Sequence, residues 1–202
     1  MILFDSERRC RESKIEQNFI QEYDFLKHKF ELSPMNGLQW KFSRMRPVNF
    51  PSVRVAQMAA LYHKSPQLFN AIVHTNSIDD IHQLLKVAAS EYWDTHYIPG
   101  KKSKSSVKNL GDQTKQSLLI NAVIPLIFAY GIKTNNQNKK DYALSLLDCI
   151  PAEKNKIIRS WKTHGITADS ARQSQALIEL KTNLCDQFRC LNCNIGKAIL
   201  FS

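Results

Sequence analysis

The apolar residues Ile15, Phe19, Tyr23, Leu26 and Phe30 follow one another at helical spacing, so they line one face of a predicted helix about 20 residues long whose other face is charged. "SPMNG" (Ser33 to Gly37) ends that helix. From Arg44 to Arg54, "RMRPVNFPSVR" is an extended connector, because the residues before Pro47 and Pro51 are pushed out of helical angles. The next helix starts near Pro51 or Ser52, runs through the alanine-rich "VRVAQMAALYH" and stops at Ser65-Pro66, where "PQLFNAIVH" begins another. Ser77 then reads as an N-cap with Asp79 and Asp80 in the first turn, and Ile78, Ile81, Leu84, Leu85, Ala88 and Tyr92 form the buried stripe.

Ile98 to Gly111, "IPGKKSKSSVKNLG", has neither apolar period nor acid and reads as a mobile basic loop (98–111). The most apolar run, "SLLINAVIPLIFAYGI" (Ser117 to Ile132), is shorter than the ~18 to 20 residues of a bilayer span and predicts a buried helix bent at Pro125. After the polar link "KTNNQNKKD" (Lys133 to Asp141), "YALSLLDCI", "KNKIIRSW" and "SARQSQALIELKTNLC" supply three amphipathic segments. No stretch alternates like a strand, and no pattern recurs at a period of ~34 to 47 residues. The predicted class is all-α: an irregular multi-helix bundle of roughly eight or nine helices in orthogonal or antiparallel packing. A single domain spans residues 1–202, with the N-terminal helix (1–32) at its periphery.

Composition narrows the partners. Apolar residues make up 43% and charged residues 23%, the balance of an ordinary folded chain, while 6 Gly and 7 Pro are too few for a turn-rich sandwich or barrel. Lys and Arg total 28 against 18 Asp and Glu, a formal +10 that attracts nucleic acid, an acidic protein surface or anionic lipid. "MILFDSERRCRESK" lacks the continuous apolar stretch of a signal peptide, and five thiols fit a reducing compartment, so the expected location is cytoplasmic with no membrane span.

Three clusters carry candidate chemistry. "CDQFRCLNC" sets Cys185, Cys190 and Cys193 at C-x4-C-x2-C spacing, the grouping that can offer thiolates to zinc or, less well matched, to an iron-sulfur cluster. The fourth ligand must then come through the fold from Cys149 or His164, Cys10 lying at a frayed end, and the helix must break near Asp186. On the alternative reading these cysteines pack as small hydrophobes beside Leu191 and Ile195. "EYWDTHY" groups Glu91, Asp94 and His96, residue types suited to acid–base work or to capping a helix end. Lys41, Arg44, Arg46 and Arg54 bracket the connector with Trp40, Phe42 and Phe50 between them, a mixture of cations and flat rings that suits phosphate and base contacts, and Lys101, Lys102, Lys104 and Lys108 add a second basic segment. The competing reading packs the aromatics and arginine stems into the core and leaves the lysine loop solvated. No P-loop, dinucleotide glycine motif, HExxH or serine elbow is present.

"WKFSRMRPVNFPSVRVAQMAAL", "EYWDTHY", "LLINAVIPLIFAYG", "IPAEKN", "SQALIELK" and "CDQFRCLNCNIG", in this order, resemble the bacterial family called domain of unknown function 2851, over about Trp40 to Leu200. Its members look roughly twice this length, so the resemblance implies that the chain corresponds to their C-terminal half. The resemblance also implies that a "GD-x-EIH"-like stretch, similar to a restriction-endonuclease-type metal-dependent nuclease core, lies in the family's N-terminal half; none occurs in this sequence. The family's C-terminal cysteine motif is matched by Cys185, Cys190 and Cys193.

The expectation is a module, non-catalytic by itself, that binds a polyanion such as nucleic acid through Lys41, Arg44, Arg46, Arg54 and the lysine loop. The alternative is an interaction or scaffold module docking an acidic partner or a missing N-terminal region. A third reading is an enzyme with a site near Asp94 and His96.

Overall fold

The computed structural model describes residues 14–35 and 40–200, so Cys10, the N-terminal fourteen-residue stretch read for routing (except Lys14) and part of the "SPMNG" break lie outside the described residues. Among the described residues the fold is mostly helical, with nine helices and one two-stranded sheet. The helices are α1 (Lys14–Lys29), α2 (Pro51–Lys64), α3 (Leu68–Val73), α4 (Ile78–Leu84), α5 (Asp112–Lys133), α6 (Gln137–Cys149), α7 (Lys156–Thr163), α8 (171–185) and α9 (Asn194–Leu200). They form two compact units: the first takes the described residues up to Ala71 together with Asp79–Gly111, the second takes Ile72–Ile78 and everything described from Asp112 onward.

In the first unit, Pro47 opens a 3-10 turn (Pro47–Asn49) and Pro51 opens α2, each proline supplying a fixed φ where the helical N–H has no partner anyway. Val53, Ala56, Ile81, Leu85, Val87, Ala89 and Leu110 are its buried apolar residues. The predicted stripe of α1 is not among them: Ile15, Phe19 and Phe30 are exposed, and the buried residue of α1 is Glu16. Likewise α4 stops at Leu84 rather than running on to Tyr92; the chain then extends and Tyr92 sits in a 3-10 turn (Glu91–Thr95).

The basic stretch 98–111 also has more structure than its composition suggests. A short antiparallel pair joins β1 (His96–Ile98) to β2 (Lys101–Lys102), and an isolated bridge pairs Ala88 with Asn109. Strands of three and two residues are too short to show alternation in the sequence. Further along, Ser103 and Ser106 donate backbone N–H groups to the carbonyls of Thr95 and Asp94. The buried Gln57 of α2 reaches across and donates its amide to the carbonyls of Lys108 (3.0 Å) and Asn109 (2.9 Å).

The second unit is built on α5, 22 residues long and, among the described residues, the one helix long and apolar enough by length and composition to cross a bilayer. It is longer than its apolar run, and its Leu119, Ile120, Val123, Ile124 and Ile127 are buried within the protein. Pro125 has no N–H to give, and the helix meets it by widening into a π turn over Leu119–Val123. Gly131 lets α5 approach α6 closely, since a Cβ there would lie 3.0 Å from the backbone nitrogen of Lys140. Asn136, Asn155 and Ser170 cap α6, α7 and α8 by accepting backbone N–H bonds three residues on, and Trp161 donates its indole N–H to the carbonyl of Leu177, tying α7 to α8. The final turn of α8 is a π turn over Leu180–Cys185, so the helix ends immediately before Asp186.

Candidate nucleic-acid interface

The proline connector and the β-hairpin meet through aromatic rings. Phe42 packs edge-on against Phe50 at 5.2 Å between centroids, and Phe50 against Tyr97 at 6.4 Å. Ser52 at the start of α2 donates its hydroxyl to the carbonyl of Tyr97, fixing β1 against α2. Two basic segments more than fifty residues apart in sequence are thereby joined: Lys41, Arg44 and Arg46 are exposed on the connector, and Lys101, Lys102 and Lys104 are exposed on β2 and the turn after it. Arg44 takes a left-handed conformation (φ 60°), which costs a non-glycine residue of order 1 kcal/mol. None of these six cations is paired with a carboxylate among the described residues. The sequence explains why: neither residues 32–78 nor residues 95–111 contain an Asp or Glu.

Two expected members of the surface are used internally. Lys108 is 2% exposed; its ammonium donates to the carbonyls of Asp94 (3.0 Å) and Ser106 (2.6 Å) and lies 4.1 Å from the centre of the Tyr97 ring. A lysine so placed cannot reach a phosphate; it staples the hairpin. Arg54 is half-buried, donates to Asn49 (2.6 Å) and Gln57 (2.9 Å), and its pKa is lowered by burial. It holds the end of the connector to α2.

The "EYWDTHY" residues separate. Glu91 is exposed, Asp94 has a buried Oδ1 with no hydrogen-bond partner among the described residues, and His96 is buried with Nδ1 2.8 Å from the carbonyl of Tyr92. Tyr92 stacks on His96 at 4.3 Å and donates its hydroxyl to Glu16, which also accepts the backbone N–H of Gly100 at 2.8 Å. Burial, followed by the hydrogen bond and the charge of Glu16, pushes the Tyr92 phenol well above its ordinary value. Sequence reasoning missed Glu16. The signal for it is an acid one turn before Phe19 and Ile20 and two before Tyr23, on a face otherwise apolar.

Among the described residues the cysteines do not come together as one group of metal ligands. Cys149, Cys185 and Cys190 are exposed, Cys193 is buried, and among the described residues no three His, Cys, Asp or Glu side chains converge as ligands. His164 is exposed, with Nδ1 2.8 Å from the carbonyl of Ser160. The described donors therefore do not supply the four ligands of a tetrahedral zinc or an iron-sulfur cluster.

A family model described as a protein of unknown function (DUF2851) matches residues 5–156, about three quarters of the chain. The chain belongs to this family. No curated protein and no solved structure matches it. The DUF2851 match begins well before Trp40 and the expected restriction to the family's C-terminal half is not borne out. It takes in both basic segments and Glu16, and it stops short of Cys185, Cys190 and Cys193, so the match lends the cysteine motif no support.

Proposed function

We propose that this DUF2851 chain is a nucleic-acid-binding module that grips the phosphate backbone with Lys41, Arg44, Arg46, Lys101, Lys102 and Lys104. The observation that carries the reading is the joining of two acid-free basic segments through Phe42, Phe50 and Tyr97, which leaves six cations exposed and without carboxylate partners among the described residues. Cations already paired gain little from a phosphate, whereas unpaired ones release condensed counterions when they dock. The arginines supply forked donors for phosphate oxygens and the lysines supply point charge.

The test is affinity for duplex DNA, single-stranded DNA and RNA over a range of salt. With six phosphate contacts, binding is expected to fall with a log–log slope of about −5 on duplex DNA, and replacing Arg44 and Arg46 together by alanine is expected to make the slope shallower by about 2, as is replacing Lys101 and Lys102. Absent or salt-insensitive binding to all three would contradict the reading. Met45 and Val48, exposed between and beside those arginines, favour a second reading in which the same surface docks an acidic protein segment. That reading gains if the double variants lose binding to an acidic peptide while nucleic acid never binds.

A further inference from the structure

We propose that Cys190 and Cys193 form a reversible dithiol–disulfide pair whose reactant is a low-molecular-weight disulfide. The two residues open and close a single 3-10 turn, Cys190–Asn192, in which the N–H of Cys193 donates to the carbonyl of Cys190 at 3.1 Å. A four-residue turn closed by that hydrogen bond keeps its end Cα atoms within about 7 Å, and a disulfide is closed at Cα separations of about 4.4 to 6.8 Å. The turn is also held from below. A Cβ on Gly196 would run into the carbonyl oxygen of Cys190 and stand 3.0 Å from its carbon, so the Cys190 backbone rests directly on α9, while Lys197 donates its N–H to the carbonyl of Cys193 at 2.8 Å. Glycine is what permits that seat.

Exposure divides the roles. Cys190 is open to solvent and Cys193 is 9% exposed. The Cys190 thiolate, its proton lost to solvent, attacks one sulfur of the disulfide R–S–S–R; a Cys190–S–S–R bond forms and the first thiolate leaves. The Cys193 thiolate then attacks the Cys190 sulfur, the bond to R breaks and the second thiolate leaves. Two protein thiols are oxidised by two electrons, the reactant is reduced to two thiols, and the two protons end on them. Cys185 lies across a separate reversal, where Phe188 (φ 55°) donates its N–H to the carbonyl of Cys185 at 3.2 Å and Arg189 to that of Leu184 at 2.9 Å, so the hydrogen-bonded turn that starts at Cys185 ends at Phe188, short of Cys190.

The full chain is equilibrated with mixtures of reduced and oxidised glutathione, quenched with acid, alkylated and cut with trypsin. Cys190 and Cys193 fall in one peptide, 190–197, and Cys185 in its neighbour, 182–189. The expected product is peptide 190–197 lighter by two hydrogens and closed to alkylation, with Cys185 and Cys149 still alkylated. Its equilibrium constant in native protein should exceed that in urea by about tenfold or more, and Gly196→Ala should bring the native value down toward the unfolded one. Cys185→Ser should leave the equilibrium unchanged. A cross-link between the two peptides, glutathione retained on Cys190 without ring closure, or equal constants in native and unfolded chains would each overturn the pair.

Discussion

Ile127 in the second unit is fully buried, an aliphatic side chain with no polar atom to satisfy, whereas Lys108, buried to almost the same degree in the first, is surrounded by the carbonyls of Asp94 and Ser106 and the face of Tyr97. The contrast extends through both units. The second is a set of regular helices stopped and started by side-chain caps and held by apolar contact, α5 against α6 above all. The first contains long irregular stretches pinned by single polar side chains reaching across the chain: Gln57 to residues 108 and 109, Ser52 to Tyr97, Glu16 to Tyr92 and Gly100. Burying an isolated lysine or glutamate is costly, and the cost is offset only where every neighbouring donor or acceptor is matched. A unit built that way can hold an open, basic connector and hairpin in place without covering them with hydrophobic surface.

The contrast makes graded predictions. Ile127→Ala leaves a cavity at a fully buried position and should cost about 2 to 5 kcal/mol in urea unfolding. Lys108→Met keeps most of the volume but takes the ammonium from the Ser106 carbonyl and leaves that of Asp94 with the Ser106 N–H alone, and should cost about 2 to 3 kcal/mol; if it were neutral, the lysine would not be the staple described. Tyr92→Phe removes the hydroxyl that donates to a buried carboxylate and should cost about 1 to 3 kcal/mol. It should also change the pH profile. Because the folded-state phenol titrates above its ordinary value of 10.0, its contribution is complete below that pH and is lost as pH rises past it, so wild type should lose more stability than Tyr92→Phe between about pH 8 and about pH 11. Ser170→Ala, deleting one cap of the regular unit, should cost only about 1 kcal/mol.

The same contrast explains what could be read from the chain. Helices in the second unit carry their own signals, and the predicted "SARQSQALIELKTNLC" coincides with α8 and its cap because cap and period are both local. Pro125 announced a disturbance that the structure resolves as a π turn. In the first unit the deciding contacts are long-range: Glu16 is buried by residues 76 and 84 positions away, which no period reports, and so α1 hides its acid while Ile15, Phe19 and Phe30 of its stripe stay exposed and Tyr23 and Leu26 are half-buried. For the candidate interface, side-chain type and local charge could not show that Lys108 and Arg54 are taken up by carbonyls and amides inside the unit while the other six cations stay exposed. Cysteine spacing alone suggested ligands, and only the fold could show that, among the described residues, no third donor joins Cys190 and Cys193.

Amide hydrogen exchange of the full chain, with and without a short duplex DNA at low salt, tests the central claim most directly. The account predicts slowed exchange at residues 41–50 and 96–104 together, both lost in the Arg44→Ala plus Arg46→Ala variant. Protection confined to other segments, or to one of the two without the other, would contradict it.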